Sequence, residues 1–140
     1  MTIQIGETDD LDTCLELRRI VFIEEQGVSL EEEMDGRDGG AIHLVARLDG
    51  KAIGTARILI SDGVAKIGRV CILAPLRGQG HGQALVRACC TVAASRDGVR
   101  LAKLGAQTHA IGFYEALGFV AQGPVYDDAG IPHRDMTRPL

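Results

Sequence analysis

Arg77-Gly78-Gln79-Gly80-His81-Gly82 interrupts the chain where a strand-like pattern gives way to a helical one. A helix start presents free backbone N–H groups and the positive end of its dipole, and glycine lets an anion approach the main chain. A diphosphate is the expected guest. Two phosphate loops are excluded by residue type. The dinucleotide fingerprint G-x-G-x-x-G fails at Gln83, where it requires a third glycine. The G-x-x-x-x-G-K-[ST] loop fails because no Lys followed by Ser or Thr succeeds the glycines. The alternative at this point is a glycine-rich turn that holds nothing.

The thiols and imidazoles offer less. Cys14, Cys71, Cys89 and Cys90 form no C-x-x-C pair, and no histidine stands at a zinc-ligand spacing from them. No metal site is expected. Cys14, Cys71 and Cys89 fall in apolar stretches, which predicts reduced, buried thiols.

The elements that must position the glycine segment follow from periodicity and turn chemistry. Thr8, Asp9 and Asp10 can cap a helix on whose buried face Leu11, Cys14, Leu15, Arg18, Val21 and Phe22 recur. Gly27 ends it near residue 26, and a short helical turn from Ser29 carries Glu31 to Glu33. Strands are expected over 43–48 and 52–60 around Asp49-Gly50, and a third runs through Val64, Ile67, Val70 and Ile72 after Asp62-Gly63. Together they make an antiparallel meander. The glycine segment then opens a long helix with Ala84, Leu85, Ala88, Val92 and Ala93 on its apolar face, closed by Asp97-Gly98. A strand over 99–104 follows that helix, so it should lie parallel to the third strand through a crossover. A short helix over 110–117 and a last hairpin about 128–130 complete one mixed α/β domain spanning 1–140.

Composition agrees with a packed globular domain: 46% hydrophobic and 24% charged residues in a chain of 140. No apolar run approaches the roughly 20 residues that cross a bilayer. Met1-Thr2-Ile3-Gln4 has no basic region leading into an apolar core, so a cytoplasmic protein without membrane contact is expected. The net charge of −4 hides an asymmetry, since residues 1–38 hold 12 acidic and 3 basic residues. Aromatic residues at 4%, with no Trp, offer few stacking platforms, and nucleic acid is not an expected partner. The acidic segment suggests a cationic partner; the alternative is a set of solvated helix faces.

Arg77, Gly80 and Gly82 meet the pattern R/Q-x-x-G-x-G/A, which on a strand-to-helix turn resembles motif A of the GNAT superfamily of acyl-CoA N-acyltransferases. Phe113-Tyr114-Glu115-Ala116-Leu117-Gly118-Phe119 resembles the downstream Y-x-x-x-G-F signature of the same family. The chain is further similar to the ElaA-type subgroup at Val21-Phe22, Glu25-Gln26, Asp35-Gly36, Asp38, His43, Gly68-Arg69-Val70, 104–107 with His109, and 130–133. The expected GNAT fold has the meander followed by a parallel pair splayed around acetyl-CoA, flanked by helices.

By that resemblance, the backbone of Val70, Cys71 and Ile72 would pair with the pantetheine arm of acetyl-CoA. Arg77 and the amides of Gly78, Gln79, Gly80, His81, Gly82 and Gln83 would hold its pyrophosphate, with Gln107 also on the cofactor. Tyr114 would protonate the departing thiolate, as the matching tyrosine does in relatives; the alternative is an aromatic packed beside Phe113. Many relatives carry a general-base Glu at the position of Ala102, so the base must lie elsewhere. Candidates are Glu25, Glu33, His43 and His133, with Glu33 preferred because the subgroup keeps an acidic residue there. Glu25, Gln26, Asp35, His43 and His133 are expected on the acceptor. The implied activity is acetyl transfer to a primary amine of a small molecule. Protein lysine or N-terminal acetylation and a non-catalytic acyl-CoA sensor are the alternatives. Many relatives dimerise, so a homodimer is also among the expected partners.

Overall fold

The computed structural model describes residues 2–140. It opens with a strand that the sequence pattern did not predict: β1 (Ile3–Thr8) pairs antiparallel with β2 (Ile42–Leu48), from Ile3↔Leu48 to Thr8↔His43. Only Ile3 and Ile5 alternate there, so a distant ladder rather than local pattern stabilises this edge.

Asp10 caps α1 (Leu11–Arg18), its carboxylate accepting from the Thr13 amide at 3.3 Å. The helix expected to run uniformly to residue 26 instead widens to a π-helix over Arg19–Glu25. The Gln26 amide accordingly donates to Val21 O, five residues back, at 3.1 Å. Ser29 caps α2 (Leu30–Glu33) by accepting from the Glu32 amide at 3.1 Å.

The meander forms as the hairpin signals predict, from β2, β3 (Lys51–Ser61) and β4 (Val64–Ile72). The glycine turn leads into α3 (His81–Ala94), which crosses over to β5 (Leu101–Gln107), parallel to β4. After α4 (Ile111–Glu115) come β6 (Val120–Asp128) and β7 (Ile131–Pro139). The seven strands lie in the order β1-β2-β3-β4-β5-β7-β6, with β7 between β5 and β6.

Helices cover both faces of the sheet. Leu85, Val86, Cys89 and Ala93 of α3 pack into a core with Leu44, Ile58, Ile67 and Leu104. A second cluster joins Leu17 and Val21 of the first helix to Val45 and Cys71. Each buried Leu, Ile or Val among them stabilises the fold by about 1.5–3 kcal/mol through apolar burial. All four cysteines are free and buried, as expected for Cys14, Cys71 and Cys89, and Cys90 joins them. Among the described residues no helix is long and apolar enough to cross a membrane.

Two features open the sheet at its centre. The parallel ladder of β4 and β5 comprises only Val64↔Leu101, Ala65↔Ala102 and Lys66↔Lys103, although both strands continue beyond it. In β4, Arg57↔Gly68 is followed by Thr55↔Cys71, so Arg69 and Val70 together oppose Ala56. Arg69 takes the left-handed conformation at φ 52°. An extra residue of this kind bends its strand and increases its twist. The parting of the parallel pair is thus built into the backbone.

Candidate active site

The glycine turn has the geometry its composition implies. Gly78 and Gly80 sit at φ 78° and 84°, where a side chain would be strained, and Gly80 occupies the N-cap of α3. The first bonded amide of the helix is that of Ala84, which donates to Gly80 O at 3.1 Å. Among the described residues no amide from 78 to 83 donates to another protein group. A run of free donors at the positive end of a 14-residue helix suits a diphosphate. Arg77 is arranged differently from the expectation. Its Nε donates to Ile72 O at 2.9 Å, and its Nη2 donates to Glu25 at 2.9 Å. These bonds brace the turn against β4 and the first helix, so Arg77 shapes the anion site rather than presenting a free cation to it. The bonds from Arg77 also occupy the Glu25 carboxylate and hold its carboxyl below the usual range.

A cavity of about 570 Å³ lies where β4 and β5 part. Val70, Gln107 and Tyr114 line it, together with Gln26, Glu33, Asp35 and His133. Glu25, His43 and the residues from Cys71 to Gln83 lie outside its lining. Gln26 and Gln107, expected to contact acceptor and cofactor separately, bond to each other, Gln107 Nε2 donating to Gln26 Oε1 at 3.0 Å. The π-helical stretch therefore ends on both arms of the opening: Glu25 reaches the turn after β4, and Gln26 reaches the end of β5.

Tyr114 is clamped by aromatic edges, with Phe113 at 5.0 Å and Phe119 at 6.0 Å between ring centroids. Its hydroxyl makes no hydrogen bond among the described residues, although its ring lines the cavity. Burial pushes the phenol up to about 12, so it carries its proton at neutral pH. Burial likewise pushes the Cys71 thiol up to about 12, and that group is inert.

The preferred base is occupied. Glu33 is 3% exposed and accepts from Arg18 Nε, with Arg18 itself 1% exposed. Arg18 also donates to Asp38 at 2.8 Å, and Arg57 forks onto both oxygens of Asp35 at 2.8 Å. Arg69 closes the group by donating to the Glu33 carbonyl at 3.0 Å. Three arginines thus neutralise three carboxylates. The Arg57 bonds hold the Asp35 carboxyl well below the usual carboxylate range, which makes it a weak proton acceptor. For Asp38 burial is the largest single influence and works upward, but Arg18 and Arg57 together outweigh it and the carboxyl is lowered. Of the twelve carboxylates in residues 1–38, Asp9, Asp12, Glu31 and Glu32 have no ion-pair partner among the described residues. His43 supports the same cluster from outside the cavity lining; its Nε2 donates to Asp38 O at 2.9 Å.

On the far wall of the cavity the sequence pointed to His133 but not to the residues around it. Tyr126 stacks on His133 with centroids 6.0 Å apart and an interplanar angle of 22°. Its hydroxyl donates to Asp135 at 2.8 Å. A Cβ on Gly105 would lie 2.3 Å from that hydroxyl, so the glycine makes room for the ring. Lys66, Arg69 and Asp128 also line the cavity without having been singled out for chemistry. Nothing in their local pattern marks them, because the sheet order brings them together.

A mixed sheet whose central parallel pair parts, followed by a helix whose first amides are free, is an acyl-CoA N-acyltransferase type of architecture. Residues 19–140 match the acetyltransferase (GNAT) domain family. Protein ElaA of Escherichia coli (strain K12) is 35% identical over 133 residues, covering 91% of this chain and 86% of that protein. The crystal structure of Escherichia coli ElaA superposes with a TM-score of 0.86 at 31% identity, covering 98% and 99% of the two chains. An acyl-CoA N-acyltransferase from Pseudomonas aeruginosa has a TM-score of 0.84 at 32% identity, with 99% of each chain covered. A GNAT family acetyltransferase from Elizabethkingia anophelis with acetyl-CoA bound shares the fold, at a TM-score of 0.75 and 16% identity over 99% and 98% of the chains. The chain belongs to the GNAT acetyltransferase family and is similar to its ElaA-type members. Its enzyme class is acyl-CoA-dependent N-acetyltransferase.

Proposed function

We propose that the protein moves the acetyl group of acetyl-CoA directly to a primary amine of a small molecule, with Tyr114 as general acid. The observation that carries this is the parting of β4 and β5 beside Tyr114, with the free amides at the start of α3 following directly after β4 in the chain. Past Lys66↔Lys103 the facing edges of β4 and β5 have no ladder partner, and unpaired main-chain groups favour an extended ligand with amides of its own. The pantetheine arm is such a ligand. The free amides of residues 78–83 suit its diphosphate, and Tyr114 lines the space where the thioester would end. Attack by the amine forms the C–N bond and expels the thiolate as the C–S bond breaks, and the phenol gives that sulfur its proton. The residues fit acetyl-CoA without rearrangement of the turn, since both glycine conformations are already those of an anion cradle.

Thiol release from acetyl-CoA, followed with a pool of primary amines and separately with a pool of peptides, tests the proposal. Release with small amines is the expected result. Release with peptides alone would make the protein a protein acetyltransferase, and tight coenzyme binding with no release under any acceptor would make it a sensor.

A further inference from the structure

We propose that His133 is the proton acceptor for the amine, a role that rests on the acetyl transfer proposed above. His133 lies opposite Gln107 in the β5–β7 ladder, at the end of β5 that has already parted from β4. It therefore shares the cavity with Tyr114. One ring nitrogen is fixed: Nδ1 lies 2.7 Å from Ile131 O. A carbonyl oxygen can only accept, so Nδ1 carries the hydrogen and the neutral ring keeps its lone pair on Nε2. Nε2 has no partner among the described residues and is not among the buried unpaired atoms, so it is open to what enters the cavity. The ring plane is held by the stacked Tyr126, which is itself tied to Asp135 and seated over Gly105. A free lone pair on an oriented ring is the arrangement a general base needs.

Three of the four carboxylates that line the cavity are already engaged. Glu33 and Asp35 are held by arginines, and Glu32 Oε1 accepts from Ser29 Oγ at 3.0 Å in the cap of α2. Asp128 has no ion-pair partner among the described residues and stands exposed at the end of β6.

The protons balance with two groups. His133 Nε2 takes one proton from the ammonium of the acceptor and releases it to water. The free amine attacks the thioester carbonyl; the nitrogen's second proton replaces the one that Tyr114 donates to the departing sulfur. The products are the amide, the free thiol of coenzyme A and one proton.

Two substitutions separate catalysis from support. His133→Asn keeps an N–H donor near the place of Nδ1 but removes Nε2, and His133→Ala removes both. With acetyl-CoA and the pool of primary amines, both variants should lose thiol release by about 100-fold. Acetyl-CoA affinity, measured by calorimetry, should stay within about twofold, and added imidazole should restore part of the activity of His133→Ala. Full activity in His133→Asn, or loss on Asp128→Asn in its place, would overturn the assignment. No thiol release by the unaltered protein with any acceptor would instead overturn the transfer reaction on which it rests, a result the His133 variants cannot produce.

Discussion

Lys66 of β4 and Lys103 of β5 face each other as the last pair of the parallel ladder. Three residues beyond Lys66, Arg69 adopts φ 52° in the bulge that sets two residues of β4 against Ala56. Two adjacent devices therefore produce one opening: a ladder that stops early and a strand that bends. The position of β4 beyond the bulge depends on its close approach to β3.

That approach gives a first test. A Cβ on Gly54 would lie 2.6 Å from the Cys71 carbonyl oxygen and 2.5 Å from Ile72 Cδ1. The carbonyl belongs to the backbone and cannot swing aside. Gly54→Ala should cost about 1–3 kcal/mol in urea unfolding through overpacking. It should also weaken acetyl-CoA binding, because the displaced residues edge the opening.

Tyr114 gives the second. Burial pushes its phenol up to about 12, so the acid form persists through the assay range and is lost only as pH passes that value. The rate should show no descending limb from this group below about pH 10. Tyr114→Phe should lower kcat about 100-fold with acetyl-CoA affinity retained. Unchanged turnover at saturating substrate would contradict the role.

The buried ion pairs give a third. Arg18→Met removes the guanidinium that Glu33 and Asp38 share, leaving Glu33 only Arg69 at 3.5 Å and Asp38 only Arg57 at 3.2 Å, and should cost about 3 kcal/mol of stability. Asp35 and Asp38 have carboxyls lowered in the folded state. Such groups contribute stability above their unfolded value near about 4, and lose it as pH falls through the folded value. Urea midpoints should therefore fall between about pH 4 and pH 2, and the fall should flatten in Asp35→Asn.

Gly105→Ala tests the far wall. The new methyl meets the Tyr126 hydroxyl, which lies at the end of a side chain 37% exposed and free to swing outward. Stability should change by less than about 1 kcal/mol. Turnover should fall with acetyl-CoA affinity intact, because the ring that steadies His133 has moved.

The meander and its crossover were legible because Asp49-Gly50 and Asp62-Gly63 are turn signals that local chemistry enforces, with both aspartates at positive φ. The glycine turn was legible for the same local reason. β1 was missed because only two apolar residues alternate along it, and it is ordered by a partner some forty residues away. The burial of Glu33 was not legible, because the resemblance that marked it as a base says nothing of its partner, and Arg18 lies fifteen residues upstream. The Tyr126–His133 wall depends on β7 lying between β5 and β6, an order that no short-range pattern encodes.

The central claim is that free amides from residue 78 to 83 hold the diphosphate of acetyl-CoA. Calorimetric titration of the folded protein with acetyl-CoA, and in parallel with S-acetyl-pantetheine, which lacks the diphosphate, tests it most directly. Saturable one-to-one binding of acetyl-CoA, with the shorter thioester binding at least about 100-fold more weakly, is the expected result. Equal affinity for the two, or no saturable heat with acetyl-CoA, would contradict it.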